Sequence, residues 1–177
     1  MERPLLRQLQ KEVERQCGFA MIALQDIEEA SANSDGKLFW YSVQGLLVAV
    51  ERLSLMLWPP NPRVPERGAA LRENLGVGEA SPLKPRELPE RFIRFDEQLE
   101  EWYESSEQRR FFDSYTEPLD VLAETKSGDR FRGYDIENNA LLFHDEPYHL
   151  GPISDAVEEL FRKAEEETQK PRFDLGA

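Results

Sequence analysis

An apolar segment from Leu38 to Trp58 limits most strongly how this chain of 177 residues can fold. Its first thirteen residues carry no charge, but Glu51 and Arg52 then interrupt it. A helix that crosses a bilayer needs about 20 consecutive apolar residues, so the segment is too short for a membrane span. The pattern therefore predicts the central helix of a bundle, buried on nearly all sides, with Gly45 allowing a neighbouring helix to approach closely.

The segment before it predicts another long helix. Its apolar residues recur at spacings of three, four and seven, which is the period of a helix with one buried face. They are Leu6, Leu9, Val13, Ala20, Leu24 and Ile27. We expect this helix from about Pro4 to Ala32, followed by a turn in which Ser34 or Asp35 caps the next helix. A short third helix is expected from about Glu66 to Leu75, closed by a glycine.

The segment RELPERFIRFDEQLEEWYE, from Arg86 to Glu104, predicts a fourth helix, preceded by Ser81 as a cap with Pro82 in its first turn. Pro89 marks either the start of the helix proper or a kink. One face is apolar, formed by Phe92, Phe95, Leu99 and Trp102, and another is polar, formed by Arg91, Arg94, Gln98 and Glu101. The polar face has two interpretations, a chemical site or the solvated back of a packed helix. We expect four side chains to be buried in the core: Trp40, Leu47, Phe95 and Trp102.

The last third of the chain predicts one hairpin and one helix. Asn138 and Asn139 lie between two short apolar runs and tolerate the backbone of a tight turn, which predicts a β-hairpin at about 130–145. The apolar period returns in a C-terminal helix at about 152–168. The predicted fold class is mainly α, a four- to five-helix bundle with a small appended β-hairpin, in a single domain over residues 1–177.

The charge balance limits the partners of the protein. The chain has 35 acidic and 22 basic residues and a formal net charge of -13, so its field repels polyanions and broad nucleic-acid binding is not expected. The N-terminal segment has no apolar stretch typical of a signal peptide, and we expect a cytoplasmic protein that binds no membrane. Cys17 is the one cysteine and is interpreted as a small apolar residue on a helix.

Residue patterns for common chemistries are weak. His144 and His149 flank a carboxylate pair but lie five apart across a proline, so they share no fixed face, and we interpret them as surface histidines and predict no metal site. Phosphate-binding glycine loops and nucleophile-elbow serines are missing from the sequence, and no cofactor is expected. The carboxylates of the fourth helix are interpreted as solubility charges.

The stretch from Leu38 to Trp102 resembles a bacterial branch of the HEPN superfamily, helical domains found in RNA-cleaving toxins and antiviral defence. The quoted segments are FWYSVQGLLVAVERLSLMLWP, LRENLGV, SPLKPREL and RFIRFDEQLEEW, with a weaker likeness in FRGYDIENNALLFHDEPYHLGPI. Active members carry an Arg, a polar residue and a His in a form resembling LRNHFEHFDERL. The segment LPERFIRFDEQL matches that frame at Leu88, Phe92, Phe95, Asp96, Glu97 and Leu99.

The motif itself departs from the family pattern. Pro89 stands where the Arg is expected, Glu90 at the polar position and Arg94 in place of the His. The resemblance implies that the His moves protons and the Arg holds phosphate during RNA cleavage. An arginine stays protonated near neutral pH and cannot act as a general base.

We therefore expect a noncatalytic HEPN-like binding or interaction module, linked to defence or toxin-type systems. The resemblance implies a homodimer that pairs through the face carrying the motif. The candidate binding or interface residues are Arg86, Arg91, Arg94 and Glu97. Their partner is a second copy, another protein or a small anionic ligand. Two alternatives stay open: a metal-independent RNase with an altered active site, and a helical structural or regulatory protein of unrelated ancestry.

Overall fold

The computed structural model describes residues 1–107, 109–116 and 125–171. Its helices are α1 (Arg3–Ala32), α2 (Gly36–Leu57), α3 (Arg67–Leu75), α4 (Glu87–Ile93), α5 (Phe95–Ser105) and α6 (Leu150–Gln169). Its strands are β1 (Arg132–Asp135), β2 (Ala140–Phe143) and β3 (Glu146–His149), preceded by a short 3-10 turn at Ser127–Asp129. The mainly α fold class is confirmed. None of the described helices combines the length and the apolarity that crossing a membrane requires.

The chain divides into two compact units. Unit 1 contains Met1–Arg86 and the part of α6 that starts at Ser154, and unit 2 contains Glu87–Ile153. Unit 1 therefore holds α1, α2, α3 and most of α6, while unit 2 holds α4, α5 and the sheet. Whether the whole chain folds as a single domain stays a prediction.

The core of unit 1 is built around the packed pair α1 and α2. α1 buries residues at the predicted helical period, among them Val13, Ala20 and Ile27. The turn between the helices is as expected, because Asp35 caps α2 by accepting a hydrogen bond from the Leu38 N–H at 3.1 Å. Cys17 lies on α1, as expected, and is fully buried.

The expectation that α2 is buried on nearly all sides is wrong for one side of the helix. Ten of its residues are buried, at the spacings of one broad face. Leu38, Tyr41 and Val48, however, are exposed on the opposite side. The uncharged run therefore supplies the core on one side of α2 and leaves an apolar surface on the other.

The other two helices of unit 1 are fixed by polar contacts at their ends. α3 ends at Gly76, whose φ of 63° is a left-handed conformation that suits glycine. The Lys163 Nζ of α6 donates to the Gly76 carbonyl at 3.4 Å. The Thr168 hydroxyl of α6 donates to the Glu14 carboxylate of α1 at 2.6 Å.

The predicted fourth helix is wrong in two respects. Residues 81–86 form no helix; Ser81 instead accepts a hydrogen bond from the Leu83 N–H in a turn at 3.3 Å. The helical segment begins at Glu87, with Pro89 in its first turn, where no helical N–H is needed. It is then interrupted at Arg94, although the Arg94 N–H still donates to Glu90 and its carbonyl still accepts from Gln98.

The sheet of unit 2 has three antiparallel strands in the order β1-β2-β3. The predicted hairpin is confirmed as β1 and β2, with Asn139 at a φ of 46° in the connecting turn. β3 was not expected. It pairs with β2 through a two-residue turn, so the appended element is a small sheet and not a simple hairpin.

The predicted core residues divide between buried and partly buried positions. Leu47 is buried in unit 1, as expected, whereas Trp40 is only partly buried. Phe95 and Trp102 in unit 2 are also only partly buried. The fully buried aromatic side chains of unit 2 are Phe131 and Phe143, which come from the sheet region. The strongest anchor of unit 2 is therefore on the sheet and not on the helix.

Candidate functional site

An aromatic cluster in unit 2 organises the surroundings of the predicted site. We define the aromatic cluster as Phe92, Phe95, Trp102, Phe111, Phe131, Phe143 and His144. Phe131 is fully buried at its centre, with ring centroids 5.5 Å from Phe95 and 6.1 Å from Phe143. Phe92 contacts Phe143 at 5.8 Å. The cluster therefore fixes α4 through a tilted ring contact and α5 through edge-to-face contacts.

A strained turn places a histidine in this cluster. His144 and Asp145 connect β2 to β3, and their φ values of 48° and 65° are both left-handed. This is the backbone of the tight hairpin turns that usually contain Gly or Asn. The His144 ring lies 4.7 Å from Phe131 and 4.6 Å from Phe143. His144 thus lies at a turn, as expected, but is partly buried against two rings, while His149 is exposed.

Arg91 of α4 reaches the same part of the cluster. Its guanidinium lies 5.7 Å from the centre of the Phe143 ring. It also donates to the Glu146 carboxylate of β3 in an ion pair. Arg91 and His144 thus contact one aromatic side chain, although they are 53 residues apart in the sequence.

The structure separates the remaining predicted site residues. Arg94 and Glu97 lie at the break between α4 and α5 and form an exposed ion pair at 3.6 Å. Arg86 is partly buried and belongs to unit 1, whereas Arg91, Arg94 and Glu97 belong to unit 2. Within unit 2 the predicted residues therefore belong to two separate ion pairs, Arg91 with Glu146 and Arg94 with Glu97.

A third arginine and carboxylate pair, which the sequence does not predict, supports the strained turn. Arg130 donates from Nε to the Asp145 carboxylate at 2.8 Å, and both side chains are largely buried. The Tyr115 hydroxyl donates to the same carboxylate at 3.2 Å. Burial and the charge of Asp145 raise the pKa of Tyr115, so this hydroxyl stays protonated. The pair anchors Asp145 and thereby fixes the neighbouring His144.

A fourth arginine and carboxylate pair lies beside α5. Arg132 donates to the Asp113 carboxylate from Nε at 2.8 Å, and its guanidinium lies 4.0 Å from the centre of the Phe95 ring. Burial by itself raises the pKa of Asp113, but the hydrogen bonds and charge of Arg132 outweigh it and the pKa is lowered. No local pattern in the sequence signals this contact, because the two residues are 19 positions apart.

The last polar feature of the cluster is a buried carboxylate. Asp129 is 3% exposed. It accepts hydrogen bonds from the Trp102 indole N–H at 2.7 Å and from the Ser106 hydroxyl at 2.6 Å. These contacts join α5 to the segment that precedes β1. Their role is to fix the helix, since a buried carboxylate needs such donors.

The chemistry available in unit 2 is ion pairing around aromatic rings. Four arginines each meet a carboxylate of the same unit: Arg91, Arg94, Arg130 and Arg132. Within the described ranges, no group of three or more His, Cys, Asp or Glu residues is arranged to hold a metal ion. These four arginines are therefore paired with carboxylates of their own unit.

Comparisons of the chain with protein-family models, curated proteins and solved structures give no match. The HEPN-like resemblance therefore stays a hypothesis that is drawn from the residues of this sequence.

Proposed function

We propose that the protein is a noncatalytic HEPN-like helical module that acts by binding, as a homodimer, in a defence or toxin-type system. The observation that carries the proposal is that both arginines of the motif segment form ion pairs within the chain. Arg94 occupies the position of the catalytic His and forms an ion pair with Glu97, and Arg91 forms one with Glu146. Both cations are thus engaged by carboxylates of their own chain.

Residue chemistry supports the noncatalytic part. Cleavage of a phosphodiester without a metal needs groups that accept and donate a proton at the working pH. Arg94 stays protonated near neutral pH and supplies no general base. The acidic residues of α5 add repulsion, because Asp96 and Glu97 lie in the motif segment and Glu100 and Glu101 follow it directly. Substitution at the His position therefore removes the proton chemistry, and the local charge disfavours RNA.

The contacts of Arg91 favour a protein partner over a phosphate ligand. A phosphate that binds Arg91 has to displace the Glu146 carboxylate, which already bonds the guanidinium. The net charge of -13 opposes the approach of a polyanion. A protein surface can be bound without breaking this ion pair, so we place the binding function on protein contacts.

The second candidate is a metal-independent RNase with an altered active site, and one observation favours it. Arg91 of α4 and His144 of the β2–β3 turn both contact the Phe143 ring. In such an enzyme Arg91 holds the phosphate and His144 moves the proton. The site differs from the family frame, in which both groups come from one helix.

The test is incubation of the purified protein with mixed-sequence single-stranded RNA and transfer RNA, with and without divalent metal. The panel contains wild type, Arg91→Ala, Arg94→Ala and His144→Ala, with His149→Ala as the exposed-histidine control. We expect wild type and every variant to leave the RNA as intact as it is in buffer, as measured by gel electrophoresis. Cleavage that is lost in Arg91→Ala and His144→Ala but kept in His149→Ala establishes the RNase and overturns the noncatalytic proposal.

A further inference from the structure

One side of the α1–α2 pair exposes a group of large apolar side chains. On α1, Phe19 and Ile22 are 53% and 60% exposed, and on α2, Tyr41 is 74% exposed. Leu38 and Val48 of α2 are exposed as well. Single exposed apolar residues are common, but a contiguous group of this kind marks an interaction surface.

These side chains lie on one continuous face. Positions 38, 41, 45 and 48 follow spacings of three, four and three, which places them along one side of α2. A Cβ added at Gly45 would lie 4.0 Å from the Cβ of Ala23 on α1. Ile22 directly precedes Ala23, and Phe19 lies one helical turn before Ala23. The exposed apolar residues of α1 and those of α2 therefore meet where the two helices touch. We define the α1–α2 apolar face as Phe19, Ile22, Leu38, Tyr41 and Val48.

We propose that the α1–α2 apolar face binds the same face of a second copy about a two-fold axis. This inference rests on the homodimer of the proposed function and names the surface through which it forms. The HEPN-like resemblance implies pairing through the motif segment instead. Arg91 and Arg94 there already pair with Glu146 and Glu97, which leaves the apolar face of unit 1 as the surface with more to gain from burial.

The charges on α1 make this face complementary to itself. Arg15, Phe19, Ile22 and Asp26 lie within about 60° of one another around the helix, in the order basic, apolar, apolar, acidic. An antiparallel pairing of two α1 helices that sets Phe19 against Ile22 of the second copy also sets Arg15 against Asp26 of the second copy. The midpoint between Phe19 and Ile22 is also the midpoint between Arg15 and Asp26. A two-fold axis there satisfies the apolar and the charged residues together.

The contact that Arg15 makes within the chain does not prevent this arrangement. Its guanidinium bonds the Glu12 carboxylate at 2.7 Å on the same helix. Both side chains are substantially exposed, and exposed ion pairs of this kind contribute little. Arg15 has several N–H donors, so it bonds Glu12 and a second carboxylate from different edges of the guanidinium.

The first test is the mass of the full chain in solution by light scattering and sedimentation equilibrium at micromolar concentration. We expect wild type at twice the chain mass of 20.6 kDa. Ile22→Glu and Tyr41→Glu should raise the dimer Kd about tenfold or more, with unchanged helical circular dichroism. Met21→Glu is the matched control. Met21 lies about 100° from Ile22 around α1, so this variant should stay dimeric.

The second test is charge reversal. Arg15→Glu and Asp26→Arg should each weaken the dimer, and the double variant should restore it, because the swapped charges meet again across the axis. A monomeric wild type overturns the proposal. A dimer that tolerates both Ile22→Glu and Tyr41→Glu places the pairing on another surface and also overturns it. A monomeric wild type also removes the homodimer of the proposed function, whereas a dimer that forms through another surface leaves that homodimer intact. Neither result bears on RNA cleavage, so the noncatalytic proposal is tested separately.

Discussion

The buried carboxylate of Asp129 gives the sharpest test of how unit 2 is held together. The Trp102 indole N–H donates to it at 2.7 Å, and Asp129 is 3% exposed. Trp102→Phe removes this donor and keeps an aromatic ring against Phe131 and Phe111. A hydrogen bond to a charged group contributes about 1.5 to 3 kcal/mol, and its loss leaves a buried acceptor less satisfied. We expect the free energy of unfolding to fall by about 2 to 3 kcal/mol.

The matched control is the same tryptophan-to-phenylalanine change at Trp58, whose indole N–H donates to an exposed carboxylate. The Trp58 indole N–H donates to Glu79 at 3.2 Å, but the Glu79 side chain is 62% exposed and water replaces the lost donor. Trp58→Phe should therefore lower stability far less than Trp102→Phe. Urea unfolding followed by circular dichroism measures both values. Equal losses in the two variants would refute the argument that burial of the acceptor sets the cost.

Three further predictions concern packing and titration. Gly133→Ala should lower the melting temperature, because a Cβ there would lie 2.4 Å from the Tyr115 ring and overpacking costs about 1 to 3 kcal/mol; an unchanged melting curve would contradict it. Arg132 holds the Asp113 pKa low, so its stabilisation is present above the unfolded pKa of about 3.9 and is lost as pH falls through the folded value. Asp113→Asn should reduce the fall in the free energy of unfolding between neutral and acidic pH. A fall equal to that of wild type would contradict this. Burial, with a smaller contribution from Glu14, raises the pKa of Cys17 to about 12, so thiol reagents at pH 8 should react at the unfolding rate, and immediate reaction would contradict it.

A control accompanies the glycine substitution. Gly151 lies in the first turn of α6 with no atom within 4 Å of an added Cβ. Gly151→Ala should leave the melting temperature unchanged or raise it, because alanine favours the helix more than glycine does. A fall equal to that of Gly133→Ala would show that the loss comes from the backbone and not from the Tyr115 ring.

The sequence predicted the parts of the fold that depend on local pattern. The helical period located α1, α2, α3 and α6, and the cap at Asp35 and the left-handed Gly76 follow from local residue chemistry. The Asn138–Asn139 turn was also visible, because asparagine tolerates left-handed backbone. In each case the interaction that fixes the structure lies within a few residues of the signal.

The remaining features depend on partners that are distant in the sequence. β3 contains Pro147, which argues against a strand except at a sheet edge, and the turn before it uses His144 and Asp145 in place of the usual Gly or Asn. That turn is fixed by Arg130, which is 15 positions away. The partial exposure of Trp102 could not be read from its apolar stripe, because Phe131 of another segment forms the buried centre.

The predicted site residues stay a prediction, and their arrangement could not be predicted from the sequence. Arg91, Arg94 and Glu97 were selected from one helix, and the structure gives Arg91 an acidic partner on β3. No local pattern in the sequence signals that His144 and Arg91 contact the same Phe143 ring. The sequence therefore showed the charges but gave no sign of β3, which carries the Glu146 partner of Arg91.

The measurement that tests the noncatalytic claim most directly is a single-turnover experiment. End-labelled single-stranded RNA is incubated with an excess of the full-length protein at neutral pH without divalent metal, and strand scission is followed over hours. The account predicts a rate equal to that of RNA in buffer, for wild type and for Arg91→Ala alike. Scission above the buffer rate that falls in Arg91→Ala and His144→Ala would contradict the account and identify an RNase.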